Sequence, residues 1–346
     1  MSHTNLITRR RLFTAAGVFS LALAATPRVA GAQATPVASP AATTPAAADA
    51  FPVTITHAFG ETTIPALPER IVLTDENAAL DSLLALDVQP AAMMLLGGYI
   101  GELAPWAINA GAGEIPVIPG TADGEIDFEA IAAAQPDLIL TSWATQDTYD
   151  TLSTIAPTIV YKASDSETWQ DIQRTAGLAT GRSVQAEAVI AETEALIAAQ
   201  QPRLDPYQDL TVAVAYFWFD QFLVNGKDAP IGRILAAYGL DVVSPGSAEA
   251  GSIDMLSLEQ INVVDGADVI IAADFLPDQT AAQEANALFR ALPAMQRGGY
   301  ILLPPEMAQA LYLESSLSTQ WAVPQLVDAV IEGAEGKGKR LNAKSE

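Results

Sequence analysis

Short apolar runs alternate with amphipathic segments along most of this chain. The first is Arg70 to Thr74, a β-rich run, and it is followed by Glu76 to Leu86, where leucines recur at helical spacing. The alternation continues with strands at 91–96, 138–141 and 158–161 and helices at 128–134 and 149–155. Strands that alternate with helices predict a parallel sheet covered by helices on both faces.

The same alternation starts again in the second half of the chain. Strands are predicted at 211–219, 269–273 and 300–303, and helices at 231–238, 258–263, 285–292 and 323–331. Between the halves, residues 183–201 carry an apolar stripe beside glutamates, which predicts one long helix. We therefore predict an α/β fold of two Rossmann-like lobes with parallel sheets, residues 51–180 and 205–335, joined by a helix at 181–204. The ligand cleft is expected between the lobes, and residues 336–346 are expected to be a disordered tail.

The first 50 residues have the composition of an export signal and a spacer. Arg9, Arg10 and Arg11 precede an apolar run too short to span a bilayer comfortably, and Ala30-Gly31-Ala32 matches an A-x-A cleavage pattern. We expect cleavage after Ala32. The paired arginines favour a twin-arginine signal, and an ordinary Sec signal is the alternative. Residues 33–50 are nearly all Ala, Thr, Pro and Ser, which predicts a disordered linker.

Charge and composition exclude several classes of function. The net charge of −24 becomes −28 when a signal peptide containing four arginines is removed, and such a surface repels nucleic acid and anionic lipid. The chain has no cysteine, so disulfides and a cysteine-linked lipid anchor are excluded. His57 would be the only histidine left, which rules out a three-histidine metal site. Any metal is expected to arrive inside a chelator, and we predict no cofactor.

Two segments, 126–140 and 256–271, share one design. Each has an acidic residue near a helix start, an apolar helix face, a Pro or Gly turn, an aspartate and a buried strand. Each therefore presents one glutamate, Glu129 or Glu259, at the same place in its lobe. Asp127 and Ser257 precede these glutamates and are expected to cap the helices. From the residues alone, both glutamates could simply favour the positive end of the helix dipole.

The order of several phrases resembles the periplasmic binding proteins for iron–siderophore complexes and cobalamin, the class with a single helix between its lobes. These phrases are PERIV at 68–72, DFEAIAAAQPDLIL at 127–140, LSTIAPTIVY at 152–161, LSLEQI at 256–261 and ALPAMQRGGYILLPPEM at 291–307. The resemblance implies that Glu129 and Glu259 dock onto arginines of an ABC importer permease dimer. It also implies a monomer with a stiff hinge that delivers a small-molecule iron chelate.

Ligands of open parallel sheets bind beyond the carboxyl ends of the strands. The loops at those ends carry mostly aromatic side chains, which suit a bulky and partly apolar chelate. The predicted ligand-binding residues are Glu76, Tyr99, Trp143, Trp218, Phe219, Arg233, Phe275 and Tyr312, the last from its position after the PPEM motif. Arg233 is the one arginine placed to reach the cleft, so a near-neutral ferric hydroxamate is favoured over an anionic catecholate.

Three alternatives differ in what the cleft would hold or do. The sequence contains no nucleophile-elbow, zinc-protease or phosphate-loop motif, so we expect no enzyme activity. Hydrolysis catalysed by a pair of carboxylates is the alternative, because the chain is rich in acidic residues. Haem could use Tyr99, Met307 or Tyr312 as an axial ligand, and cobalamin would suit the same aromatic cleft. A receptor that signals instead of feeding transport would use the same residues.

Overall fold

The N-terminal sheet is built from short apolar strands that are buried on both faces. The computed structural model describes residues 50–76, 78–95, 102–120, 125–142, 144–161, 167–246 and 253–339. The signal peptide, nearly all of the linker, Tyr99, Trp143 and residues 340–346 lie outside this range. A hairpin comes first, and five parallel strands follow in the order β5-β4-β3-β6-β7. The strands are β1 (Val53–His57), β2 (Gly60–Ile64), β3 (Ile71–Leu73), β4 (Ala92–Met94), β5 (Val117–Ile118), β6 (Leu138–Ser142) and β7 (Thr158–Tyr161).

Alternate side chains of this sheet pack against helices on opposite faces, as the period of two in a strand requires. Val72 and Ile139 face a small cluster with Ile131 and Leu152, whereas Leu73 and Leu138 belong to the main core. The helices of this lobe are α1 (Ala78–Leu84), α2 (Pro105–Asn109), α3 (Phe128–Ala133), α4 (Gln146–Ser153) and α5 (Trp169–Ala179), with a 3-10 turn at Ala112–Glu114.

The predicted connecting helix is present as α6 (Ser183–Leu204), with a 3-10 turn at Asp205–Tyr207 after it. Pro202 lies in its last turn, so its missing N–H breaks the helix only where the helix already ends. The C-terminal sheet follows. Its strands are β8 (Thr211–Trp218), β9 (Gln221–Asn225), β10 (Asp241–Val242), β11 (Ile253–Ser257), β12 (Val269–Ala273) and β13 (Tyr300–Leu303).

The C-terminal sheet is mixed and not purely parallel. Strands β10, β8, β12 and β13 run parallel, whereas β9 pairs antiparallel with β8, and β11 pairs antiparallel with β9. Its helices are α7 (Pro230–Ala237), α8 (Pro277–Ala285), α9 (Ala287–Ala291), α10 (Pro293–Arg297), α11 (Pro305–Leu313) and α12 (Ser316–Ala334), with a 3-10 helix at Leu258–Val264. The α/β class, the two lobes and the long connecting helix are confirmed; the antiparallel strands were not predicted.

The last helix, α12, contacts both lobes. It packs on α6, α1, α2 and α5 and also on β12 and β13. Ser315, its N-cap residue, donates to the carboxylate of Asp81 in α1, which also accepts from the indole of Trp106 at 2.7 Å. Ser316 donates to Gln173 at 2.8 Å, and the rings of Trp106 and Trp321 lie 5.3 Å apart. These groups form a buried polar junction between the lobes.

The end of the described chain lies against the C-terminal sheet. Lys339 forms an isolated bridge with Tyr300 and pairs with the carboxylate of Glu284. Among the residues that the structure places, no helix has the length and apolar character needed to span a membrane.

Candidate ligand-binding and docking site

A buried hydrogen-bond network joins two strand ends of the N-terminal sheet. Asp75 follows β3, and its carboxylate accepts from the backbone N–H of Ser142 at 2.8 Å and from the Ser142 hydroxyl at 3.2 Å. Thr74 donates to the hydroxyl of Thr141 at 2.6 Å. The network holds the loop after β3 against the end of β6. The next residue, Glu76, is therefore placed at the carboxyl edge of the sheet, where its side chain is largely buried.

An aromatic pair, the half-buried Trp218 and the exposed Phe219, marks the carboxyl end of β8. Trp218 is the last residue of β8, and Phe219 begins the two-residue turn into β9. The two rings meet edge to face at 5.5 Å. Phe219 has a φ of +55°, a left-handed conformation that costs a bulky residue free energy, and its side chain is 63 % exposed. With Leu276 it lines an open depression of about 370 Å³.

A polar and aromatic cluster forms where β8, β9, β12 and α11 meet. The Tyr312 hydroxyl on α11 donates to Asn225 Oδ1 at 2.9 Å and lies 3.0 Å from the Tyr216 hydroxyl. The ring of Phe275, just beyond β12, meets those of Tyr312 and Tyr216 at 5.2 and 5.8 Å. Asn225 is fully buried, and its Nδ2 has no hydrogen-bond partner among the described atoms. The cluster therefore ties the ends of β8, β9 and β12 to α11.

Arg233 is held by an acidic partner. Its guanidinium pairs with the carboxylate of Glu314, which is buried and has a left-handed φ of +44°. The same guanidinium donates to the carbonyl of Asp228 at 3.1 Å. A ligand that used Arg233 would therefore have to compete with Glu314 or share the arginine with it.

The other basic side chains of the described chain are also engaged. Arg70 donates to the carbonyls of Ala134 and Gln135 at the opposite end of β3. Most of the rest pair with carboxylates, and Arg182 donates to a backbone carbonyl; the residues concerned are Arg174, Arg182, Arg203, Arg297, Lys227, Lys337 and Lys339. Arg290 is partly buried in α9, and Lys162, which follows β7, lies outside the described residues.

Glu129 and Glu259 occupy corresponding positions in the two lobes, and both are exposed. Glu129 lies in the first turn of α3, where Asp127 accepts from the N–H of Ala130 at 2.9 Å. Glu259 lies in the first turn of the 3-10 helix at Leu258–Val264, where the side chain of Gln260 accepts from the N–H of Ser257 at 3.0 Å. The capping role predicted for Asp127 is confirmed; at the second helix, Ser257 is the N-cap residue and forms a capping box with Gln260.

The aspartates that precede the buried strands of the two repeated segments both accept from backbone N–H groups at the start of the neighbouring strand. Asp137 accepts from the N–H groups of Glu69 and Arg70 at 2.7 and 2.9 Å, at the start of β3. Asp268 accepts from the N–H of Thr211 at 3.1 Å, at the start of β8. Each aspartate therefore ties its own strand to the neighbouring central strand. The internal repeat found in the sequence is a repeat of structure.

The sequence did not point to Tyr216, Asn225 or Gln283. Tyr216 and Asn225 meet because β9 folds back on β8, and Gln283 on α8 accepts from the N–H of Phe217 at 2.7 Å. The available signal was the run QFLVN, which follows the tip residues Phe219 and Asp220 closely enough to form a hairpin. Within the described residues, no group of three or more His, Cys, Asp or Glu side chains could hold a metal ion.

Burial changes the pKa of one hydroxyl group, that of Tyr161 at the carboxyl end of β7. Desolvation, with smaller contributions from the charges of Glu167 and Asp75, raises the pKa of Tyr161. Its hydroxyl makes no hydrogen bond to any described atom. Tyr161 is therefore a neutral, buried group close to the network around Asp75.

Comparison with known proteins supports the fold and the class of protein. The sequence profile of a family described as periplasmic binding protein matches residues 108–307. The ferric enterobactin-binding periplasmic protein FepB of Escherichia coli is 30% identical over 266 residues, which cover 71% of this chain and 82% of that protein.

Solved structures match over most of the chain. A periplasmic solute binding protein of Mycobacterium smegmatis has 27% identity and a TM-score of 0.70, over 82% of this chain and 98% of that one. Streptococcus pneumoniae PiaA, solved in complex with ferrichrome, has 23% identity and a TM-score of 0.67, over 82% of this chain and 99% of that one. At that identity, PiaA supports the fold alone.

Proposed function

Because the chain belongs to the periplasmic binding protein family, we propose that it captures a ferric siderophore outside the cytoplasmic membrane and delivers it to the permease of an ABC importer. The observation that carries the delivery step is the pair of exposed glutamates at corresponding first turns of the two lobes. One carboxylate on each lobe suits a permease dimer that offers one basic group per subunit. The protein would act as a monomer that binds its ligand without altering it.

The cargo we propose is a near-neutral ferric hydroxamate. Aromatic faces at the carboxyl ends of β8 and β12, from Trp218, Phe219 and Phe275, suit a bulky chelate of low charge. An anionic catecholate complex would call for several converging cations. In the described chain Arg233 already pairs with Glu314, and the carboxylate of Asp278, which lines the same depression as Phe219, adds negative charge. A near-neutral ligand avoids this repulsion.

The predicted ligand-binding residues come from both lobes. Glu76, Tyr99 and Trp143 would contact the ligand from the N-terminal lobe, and Trp218, Phe219, Arg233, Phe275 and Tyr312 from the C-terminal lobe. Tyr312 and Phe275 pack against each other and against Tyr216, which lies on the strand that ends at Trp218. We propose export of the protein by its twin-arginine signal and cleavage after Ala32.

Tryptophan fluorescence tests the cargo. The protein is titrated in parallel with ferrichrome, a ferric triscatecholate, haem and cobalamin. We expect saturable quenching at micromolar or lower concentration by ferrichrome and a smaller quenching amplitude in Trp218→Phe, because that indole lies at the proposed site. Trp169→Phe is the matched control, since Trp169 is buried at the start of α5 and should not report binding. Tight binding of the catecholate with none of ferrichrome would contradict the hydroxamate assignment.

Iron uptake tests the delivery step. A strain that lacks the native gene is complemented with the double variant Glu129→Ala, Glu259→Ala, and uptake of ⁵⁵Fe-ferrichrome is measured. We expect uptake to be lost and the affinity in solution to stay within about twofold, because both carboxylates are exposed and remote from the aromatic pair in sequence. Glu192→Ala with Glu332→Ala, two exposed helical glutamates, is the control. Reduced ligand affinity in the first double variant would assign those glutamates to the ligand site instead.

A further inference from the structure

Additional helices lie beside Glu259, and the design shared by the two repeated segments does not include them. The N-terminal lobe connects β6 to β7 through the single helix α4, whereas the C-terminal lobe connects β12 to β13 through α8, α9 and α10. The additional helices bring Leu288, Leu292 and Pro293 beside the 3-10 helix that carries Glu259. The two docking glutamates therefore have different surroundings.

The space between these elements is an open pocket of about 370 Å³. Its apolar wall includes the buried Leu292 and the side chain of Leu288, which is 54 % exposed. Its polar rim is formed by Glu259, Asp265 and Asn262. A large leucine left half exposed beside a concave surface is typical of an interaction site and differs from a scattered surface apolar residue.

The charges on the rim restrict what can occupy the pocket. Neither Glu259 nor Asp265 forms an ion pair among the described residues, and no basic side chain lines the pocket. Two carboxylates over an apolar floor complement a segment with a cationic side chain beside a large apolar one, because a guanidinium or ammonium group can pair with the rim while the apolar side chain fills the pocket. A purely apolar partner would leave the carboxylates desolvated and unpaired.

We infer that this pocket is the apolar anchor of permease docking: it receives a large apolar side chain that lies next to a basic residue in an extracytoplasmic loop of the permease. The inference rests on the proposed function and deepens it. Docking through Glu259 then differs from docking through Glu129, because the C-terminal lobe combines an ion pair with a buried apolar contact. Central, desolvated contacts of this kind commonly carry most of the affinity of an interface.

The experiment measures binding of the radiolabelled, ferrichrome-loaded full chain to right-side-out membrane vesicles from the organism that makes it. We expect Leu288→Asp to weaken binding about tenfold or more, with a parallel loss of ⁵⁵Fe uptake, because a carboxylate would enter an acidic pocket and the apolar contact would be lost. Leu288→Met keeps the apolar volume and should stay within about threefold of the wild type. Val184→Asp, at a residue 57 % exposed at the start of α6, is the matched control and should bind normally.

Each of the other possible results of this experiment would overturn the apolar anchor, and together they show whether the proposed function fails with it. Wild-type binding by Leu288→Asp, with binding lost in the Glu129→Ala, Glu259→Ala variant, would overturn the anchor and leave the proposed function intact. No saturable binding of the wild type would overturn both. If Leu288→Asp converted a dimer into a monomer in sedimentation, the pocket would be a contact between copies and the inference would be wrong. Circular dichroism and ferrichrome affinity, both expected to be unchanged, show that the variant is folded.

Discussion

Asp81 provides the sharpest test of the buried junction between the lobes. Its carboxylate is fully buried, and Oδ2 accepts from both Trp106 Nε1 and Ser315 Oγ. Burial raises the pKa of Asp81 to about 7, although the hydrogen bonds from Ser315 and Trp106 act in the opposite direction. Asp81→Asn should preserve the geometry, because an amide oxygen in the place of Oδ2 can accept both bonds while the side chain stays neutral.

The sign and size of the effect follow from proton linkage. The folded state holds the proton up to about pH 7, whereas the unfolded chain releases it near the ordinary aspartate pKa of 3.8. The contribution of Asp81 to stability is therefore fully present below pH 3.8 and is lost as pH rises to 7. Above pH 7 it is constant. A pKa difference of about three, at about 1.36 kcal/mol for each pKa unit, amounts to roughly 4 kcal/mol.

Urea unfolding of wild type and Asp81→Asn, followed by circular dichroism between pH 4 and pH 8, measures this effect. The stability of the wild type relative to the variant should fall by up to roughly 4 kcal/mol across that range. Asp171→Asn is the control, and its stability difference from the wild type should change little between pH 4 and pH 8. The hydrogen bond from Thr168 lowers the pKa of Asp171, so its contribution is lost as pH falls below the ordinary aspartate value of 3.8. A pH-independent difference between wild type and Asp81→Asn would refute the reasoning.

Three further predictions concern stability. Gly232→Ala should destabilise the protein by about 3 kcal/mol in urea unfolding, because the new Cβ would lie 2.0 Å from the Gly226 carbonyl, whereas Gly266→Ala has open space and should change little. Tyr312→Phe should cost about 1–3 kcal/mol in the same assay, since Asn225 Oδ1 would lose its donor; an unchanged urea midpoint would contradict this. Phe289→Ala should cost about 3–5 kcal/mol by calorimetry, because its ring is fully buried in the core; a loss below about 1 kcal/mol would show that the site collapses around the cavity.

The strand–helix alternation was readable because its signal is local. The strands Thr158–Tyr161, Val269–Ala273 and Tyr300–Leu303 begin and end where they were predicted. Each is a short run of mostly apolar, β-branched or aromatic residues that is buried almost throughout, so composition alone defines it. The long helix between the lobes was equally clear, because an apolar stripe repeats along it.

The boundaries of other elements were predicted wrongly where a single capping side chain determines where a helix begins. The helix predicted at 285–292 corresponds to α9, which begins only at Ala287, because the side chain of Asn286 accepts from the N–H groups of Leu288 and Phe289 and separates α9 from α8. The last helix begins at Ser316 and not at Val323. Ser315 caps it, and Pro324 is tolerated inside it. Capping signals were present in the sequence in both cases and were outweighed by the apolar pattern.

The candidate site could be predicted only in part, because its decisive contacts join distant residues. Arg233 follows a strand and lies near a loop, but its partner Glu314 is far away in sequence. Tyr216 and Asn225 become neighbours only through the antiparallel strand β9. The repeated glutamates, by contrast, were found because the repeat is encoded within each lobe. Local patterns therefore predicted the corresponding positions of the two glutamates better than the contacts around the cleft.

The junction around α12 also bears on how far the lobes can move. The stiff hinge that the family resemblance implies depends on α6, since a continuous helix resists large changes of backbone angle. The structure adds α12, whose start is bonded to α1 and α5 through Asp81 and Gln173, and whose Gln320 donates to Thr193 of α6 at 2.7 Å. Breaking each such buried bond costs about 1–3 kcal/mol. A wide opening would break several at once, so the ligand-free and ligand-bound forms should differ by a small rotation that bends α6 and α12 together.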